Sequence, residues 1–137
     1  MSEDDNKSLF ELINEPNHEQ IVFCNDNSIG LKAIIGIHNT NLGPAIGGTR
    51  MWNYSTDEEA LKDVLNLSKA MSYKSSLAGL NAGGGKAVLI GKTNIKNRNY
   101  LKRFAQFIKD LNGKYWTAQD VNMTTEDIVC INETCPY

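Results

Sequence analysis

After residue 56 the chain alternates segments of helical period with short apolar runs, and this alternation constrains its fold more tightly than any other feature. Thr56 and Glu59 have capping-box spacing, with Asp57 and Glu58 adding negative charge at the same end. Leu61, Val64, Leu65, Ser68 and Met71 follow at helical intervals, which predicts a helix over Asp57–Tyr73. Lys86–Ile90 has strand composition. Leu101, Phe104, Ile108 and Leu111 stripe a second helix over about Asn97–Leu111, and Asn112-Gly113 stops it. Tyr115–Ala118 reads as a short strand, and Thr124 with Asp127 opens a last helix toward Asn132. Strands joined through helices run parallel.

The preceding half adds strands of another kind. Ile21–Cys24 and Leu31–Ile37 flank the turn formers of residues 25–30 and predict an antiparallel hairpin. Ala45–Met51 reads as a strand bent or interrupted at Gly47 and Gly48. The expected fold is α/β: three αβα layers around a mixed, largely parallel sheet with an antiparallel N-terminal hairpin.

A chain of 137 residues, 41% hydrophobic and 22% charged, is one ordinary domain that can build a core without metals or disulfides. We expect residues 1–8 to be a flexible tail and residues 9–137 the folded unit. A net charge of −2 leaves no footprint for nucleic acid or an acidic membrane. Cys24, Cys130 and Cys135 form no C-x-x-C, and with only His18 and His38 beside them a metal site is not expected. The odd cysteine count fits a reducing cytoplasm. Met1–Lys7 is acidic and polar, unlike a signal peptide, and no apolar run reaches membrane-spanning length.

The densest chemical signal is Gly79–Lys86, in which Gly83, Gly84 and Gly85 precede Lys86. Successive glycines permit positive φ and close approach of a ligand to the backbone. A phosphate-binding loop needs a glycine where Leu80 stands and Ser or Thr where Ala87 stands, and no G-x-G-x-x-G occurs. A solvated lysine after a glycine turn is the plain alternative. Lys74, following the first helix, and Asp120, following the last strand, add a second cation and an acid at element ends. Two lysines and a carboxylate in one cleft suit an amino acid: Lys74 to hold its carboxylate, a partly desolvated Lys86 as base, Asp120 to exchange protons with its amine. The plain roles are a helix C-terminal cation for Lys74 and an N-cap for Asp120, with Ile46 and Met71 in the core. Trp52 and Trp116 read as packing or interface residues, and Arg50 as an ion-pair partner in a subunit contact.

Four segments carry a family resemblance. Gly43–Trp52 resembles the G-P-A-x-G-G-x-R-M run of leucine dehydrogenases, Met71-Ser72-Tyr73-Lys74 their M-[ST]-Y-K, Gly79–Val88 their glycine-rich catalytic-lysine segment, and Thr117–Val121 their T-A-E-D-V. The resemblance, to the Glu/Leu/Phe/Val amino-acid dehydrogenases, runs from about His18 to Thr134. It implies reversible oxidative deamination of an L-amino acid with hydride passing to NAD. Lys74 would bind the substrate carboxylate, Lys86 would activate the attacking water, and Asp120 would move the amine's proton. Gly47 and Gly48 would leave room for backbone contact, and Ile46, Met71 and Ala118 would line the side-chain pocket. That pocket lacks a cation for an acidic side chain, which favours a branched-chain, leucine-like substrate. The departures are Ala82, Gln119, Asn122-Met123 for a usual Gly-Thr, and Lys92-Thr93 after Gly91.

The family's dinucleotide-binding Rossmann domain has no counterpart in these residues. We therefore expect an N-terminal substrate-binding and oligomerisation domain, inactive alone and without bound cofactor, from a homo-oligomeric enzyme. The alternative is a stand-alone amino-acid-binding or oligomerisation module without catalysis.

Overall fold

A computed structural model describes residues 7–137, so the expected tail lies outside the described residues except for its last two, of which Ser8 caps a helix. The elements are α1 (Leu9–Asn14), β1 (Gln20–Asp26), β2 (Leu31–Asn39), β3 (Ala45–Trp52), α2 (Asp57–Leu77), β4 (Gly83–Ile90), α3 (Arg98–Lys109), β5 (Tyr115–Gln119) and α4 (Thr125–Thr134). The short α1 was not anticipated. It contains no fully buried residue, so its six residues leave little periodic signal.

The sheet order is β1-β2-β4-β3-β5. β2 is antiparallel to both neighbours, while β3 is parallel to β4 and to β5, so four of the five strands point one way. This is the expected mixed α/β sheet with its N-terminal hairpin.

Alternation along the strands divides the core in two. Ala33, Ile35 and Ile37 of β2, with Ala87 and Leu89 of β4, pack on one face against Tyr100, Leu101, Phe104 and Ile108 of α3 and Ile131 of α4. Ile34 and Val88 point to the other face, against Leu61, Val64 and Leu65 of α2. The second layer is incomplete. α2 lies over β2 and β4 and scarcely touches β3, and the exposed Trp116 and Ala118 mark the same face of β5 as uncovered.

α2 runs one turn past the expected Tyr73. Ser75 is buried beyond it, and the helix stops where Gly79 takes φ +70°. There the Leu80 and Gly79 amides donate back to the Ser75 and Ser76 carbonyls, closing the last turn. β4 begins three residues before the expected Lys86: Gly83, Gly84 and Gly85 are strand, and none has positive φ. Close approach, not a turn, requires them. A Cβ on Gly84 would run into the Ser72 amide nitrogen of α2, and one on Gly85 would lie 2.8 Å from Cδ1 of Tyr115.

A buried histidine pair fastens the segment before β1 to α2. His18 Nε2 meets Ser68 Oγ at 2.5 Å, and His38 bonds Ser72 Oγ and the Pro16 carbonyl, each at 2.7 Å. Burial first, then the neighbouring His38, lowers the His18 imidazole from 6.5 to about 4. The unfolded chain therefore binds the extra proton between those values, so this contribution to stability is complete above about 6.5 and is lost as pH falls toward about 4. We expect the denaturant midpoint to fall more between pH 7 and pH 5 in the wild type than in His18→Gln. Equal slopes for the two proteins would remove His18 as the cause.

Candidate active site

The uncovered face of β3 and β5 and the flank of α2 form an open groove. Period-two alternation puts Ile46, Gly48 and Arg50 of β3 on its floor, beside Trp116 and Ala118 of β5. Lys86 enters from β4. Thr49 pairs with Ala87, so Lys86 stands beside Gly48, and Gly48 in turn pairs with Ala118. Because Gly48 has no side chain, the lysine reaches across β3 and ion-pairs with Oδ2 of Asp120, one residue beyond β5. A Cβ at Gly48 would lie 2.8 Å from Cβ of Asp120 and 3.0 Å from the Gln119 carbonyl oxygen, so the bare position keeps this passage open.

Lys86 is 7% exposed. An ammonium that buried needs a counter-charge, and Asp120 supplies it. Burial raises the Asp120 carboxyl, but the hydrogen-bonded Lys86, the Val121 amide and Arg50 outweigh that and hold it below the usual carboxylate range. Asp120 is therefore a carboxylate at neutral pH, set between the buried Lys86 and an open groove.

Two further side chains continue the network. Nε of Arg50 lies 3.3 Å from the same Oδ2 of Asp120, and its Nη1 lies 3.4 Å from Oδ2 of Asp63 on α2. The Tyr54 hydroxyl donates to that Asp63 oxygen. Burial and then Asp63 push the Tyr54 phenol up, so it stays protonated as a donor. Arg50 is thus an ion-pair partner of both Asp120 and Asp63 within the chain. The signal for its place was present in the sequence, since Ile46, Gly48 and Arg50 share one strand parity.

The structure brings Lys86 and Asp120 together and leaves Lys74 apart. Lys74 is exposed in the last turn of α2 and touches neither. It follows Asp63 by eleven residues, about three full turns, so both lie on the α2 flank that borders the groove. Met71 is half-buried on α2, Ile46 is half-buried and Ala118 exposed on the floor. Gly47 faces the opposite side of the sheet: its carbonyl accepts from the Tyr115 hydroxyl at 2.7 Å, and the pairing of β3 with β4 skips both Gly47 and Gly48. Lys86 therefore stands within the sheet and not at an element end, because it is the fourth residue of β4, whereas Asp120 and Lys74 do lie at element ends.

The loop after Asp120 absorbs the departure at Asn122-Met123. Asn122 takes φ +61°, a backbone that asparagine tolerates better than most residues. Its Nδ2 donates to the Met51 carbonyl at 2.9 Å, and Met123 is buried. Lys96 then ties the loop to α4, bonding the Asn122 carbonyl at 2.7 Å and Asp127 at 2.6 Å.

Comparison with known proteins places this chain in a family. Residues 18–137 match the Glu/Leu/Phe/Val dehydrogenase dimerisation domain. Over 130 residues the chain is 49% identical to leucine dehydrogenase of Bacillus subtilis, covering 94% of this chain and 36% of that protein. It is 49% identical over 140 residues to valine dehydrogenase of Streptomyces virginiae, covering all of this chain and 39% of that one. It therefore spans little more than a third of the length of these relatives. The crystal structure of L-tryptophan dehydrogenase from Nostoc punctiforme superposes with a TM-score of 0.93 at 45% identity, over 95% of this chain and 39% of that one. A hetero-hexameric glutamate dehydrogenase from Thermus thermophilus shares the fold with a TM-score of 0.71 at 17% identity. With the matched segment running from His18 to the last residue and the fold shared, the chain belongs to the Glu/Leu/Phe/Val dehydrogenase dimerisation-domain family.

Proposed function

We propose that this chain is the substrate-binding and catalytic portion of an NAD-dependent L-amino-acid dehydrogenase that oxidatively deaminates a branched-chain, leucine-like substrate. The observation that carries the reading is the buried Lys86 paired with Asp120 across the bare Gly48, in a groove open to solvent. Lys74 receives the substrate carboxylate. Asp120 takes the proton from the substrate amine, and Lys86 polarises the reacting carbon's substituent and activates the water that releases ammonia. Ile46, Met71 and Ala118 bury the aliphatic side chain, each methylene contributing about 0.8 kcal/mol. Gly48 keeps a side chain off the floor, and the Gly47–Gly48 backbone offers the substrate its contact.

The nicotinamide would approach from the side of Gly48 and the exposed Ala118. NAD, when bound, takes up the hydride from the substrate; its binding residues belong to a Rossmann domain outside this chain. The 137 residues alone are accordingly inactive, and the full polypeptide works as a cytoplasmic homo-oligomer.

The test is NADH formation by the full-length polypeptide with leucine, valine, isoleucine, phenylalanine and glutamate as substrates. Aliphatic substrates are expected to lead. Lys74→Ala is expected to raise KM by about 10- to 100-fold with kcat changed only a few-fold, the worth of one hydrogen bond to a charged group. Preference for glutamate, or a KM that ignores Lys74, would overturn the reading.

A further inference from the structure

We propose that Arg50 is the positioning residue for Asp120: braced by Asp63 and Tyr54, it holds the carboxylate at the groove floor when Lys86 turns to the substrate. The inference rests on the reading of Lys86 and Asp120 given above.

Asp120 lies one residue beyond the end of β5, where the Met123 amide donates to its carbonyl at 3.1 Å and the Met51 amide of β3 donates to the Val121 carbonyl at 3.0 Å. These bonds hold the backbone; the direction of the carboxylate depends on what grips it. Two cations do so, and both act on Oδ2: Lys86 from β4 and Arg50 Nε at 3.3 Å from β3. A lysine that must also serve the substrate cannot be the permanent clamp. Arg50 can. Its planar fork divides between two carboxylates, Nε to Asp120 and Nη1 to Asp63, which fixes the plane of the guanidinium. Asp63 is itself fixed, since it sits on α2 and receives the Tyr54 hydroxyl.

The charges alternate along this line: Lys86, Asp120, Arg50, Asp63. Each anion faces a cation, so the departure of Lys86 from Asp120 leaves no unpaired carboxylate. The arrangement also lets a substrate ammonium take the place of Lys86 without displacing Asp120. Arg50 is half-buried on the groove floor at the end opposite Lys74, so it grips Asp120 without occupying the space between Lys74 and Lys86.

Arg50→Met, Arg50→Gln and Arg50→Lys in the full-length polypeptide test this by two readouts. One is the pH profile of kcat/KM; the other is the titration of the Asp120 carboxyl followed by 13C NMR. Loss of the cation should move the Asp120 titration and the acidic limb of the profile upward together. It should lower kcat about tenfold, with KM within about threefold, as expected when a reacting group loses the ion pair that orients it. Arg50→Lys should restore part of both, because it returns the charge but not the fork. Arg50→Gln, which keeps polar contact with both carboxylates, carries the test if Arg50→Met does not fold. An arginine that only stabilises the fold would lower the melting temperature and leave both pH curves in place, and that result overturns the proposal. If the wild type turns over no L-amino acid, the proposed function fails. A moved Asp120 titration would then still support the grip of Arg50, and an unmoved one would sink it.

Discussion

Replacement of Lys86 by alanine in the full-length polypeptide is expected to lower kcat by roughly 10²- to 10⁴-fold, the contribution of a placed general acid–base group. The geometry makes this loss hard to compensate. Lys86 is the buried ammonium that reaches Asp120 across the bare Gly48, and the other cation on that carboxylate, Arg50, is committed to Asp63 as well. A methyl group at position 86 leaves the groove floor without the amino group that polarises the substrate and activates the water. The substitution also bears on stability. Asp120 loses the strongest opponent of its burial, so its carboxyl rises toward the usual range. The sign follows from linkage: a depressed carboxylate contributes stability above its unfolded value, and that contribution disappears as pH falls through the folded value. The variant should therefore show a flatter acid-unfolding curve than the wild type. Circular dichroism at neutral pH separates the two effects, since a folded protein with collapsed kcat is the expected result. A variant that retains kcat within about tenfold of the wild type would remove Lys86 from the chemistry.

Much of this arrangement was legible in the sequence, for local reasons. The stripe on α2, the capping pairs Thr56–Glu59 and Thr124–Asp127, and the Asn112-Gly113 stop are signals spread over a few neighbouring residues, and each element formed where they point. The sequence suggests one cleft for Lys74, Lys86 and Asp120 from their places at element ends; the structure joins Lys86 to Asp120 and leaves Lys74 apart. What stayed hidden depends on tertiary coverage. That Lys86 lies within β4, with glycines running extended ahead of it, follows from how closely α2 and β3 approach, which no propensity records. That β3 and β5 have an uncovered face follows from where α2 comes to lie. The two partners of Arg50 stayed hidden because Asp63 and Asp120 are thirteen and seventy residues away in the chain, and nothing local links them.

Glycine substitutions at two positions should separate fold from site. Gly84→Ala is expected to destabilise the chain by about 3 kcal/mol or more, at the upper end of overpacking costs. Its Cβ would run into the backbone amide of Ser72 and the hydroxyl of the same residue, which His38 also binds. Backbone in the middle of a helix cannot give way without moving α2, and α2 carries one whole half of the core. A denaturant midpoint equal to the wild type's would show that α2 can shift without cost and would sink the packing argument. Gly48→Ala meets a different obstacle. Its nearest neighbour is Cβ of Asp120 at 2.8 Å, a side chain beyond the last strand residue, with the Gln119 carbonyl at 3.0 Å behind it. The end of β5 can yield by about an ångström because it is a strand end, so the stability cost should be smaller, about 1 kcal/mol. The displacement falls on the carboxylate that Lys86 and Arg50 hold. Near-normal folding with kcat reduced by about 10²-fold is therefore expected, the cost of misplacing a reacting group by about an ångström. The two methyl groups are chemically identical and sit on neighbouring strands of one sheet, so a difference of this kind can arise only from what each one meets. If Gly48→Ala instead unfolded the chain while Gly84→Ala left it stable, the assignment of Gly84 to the helix contact and Gly48 to the groove floor would be reversed.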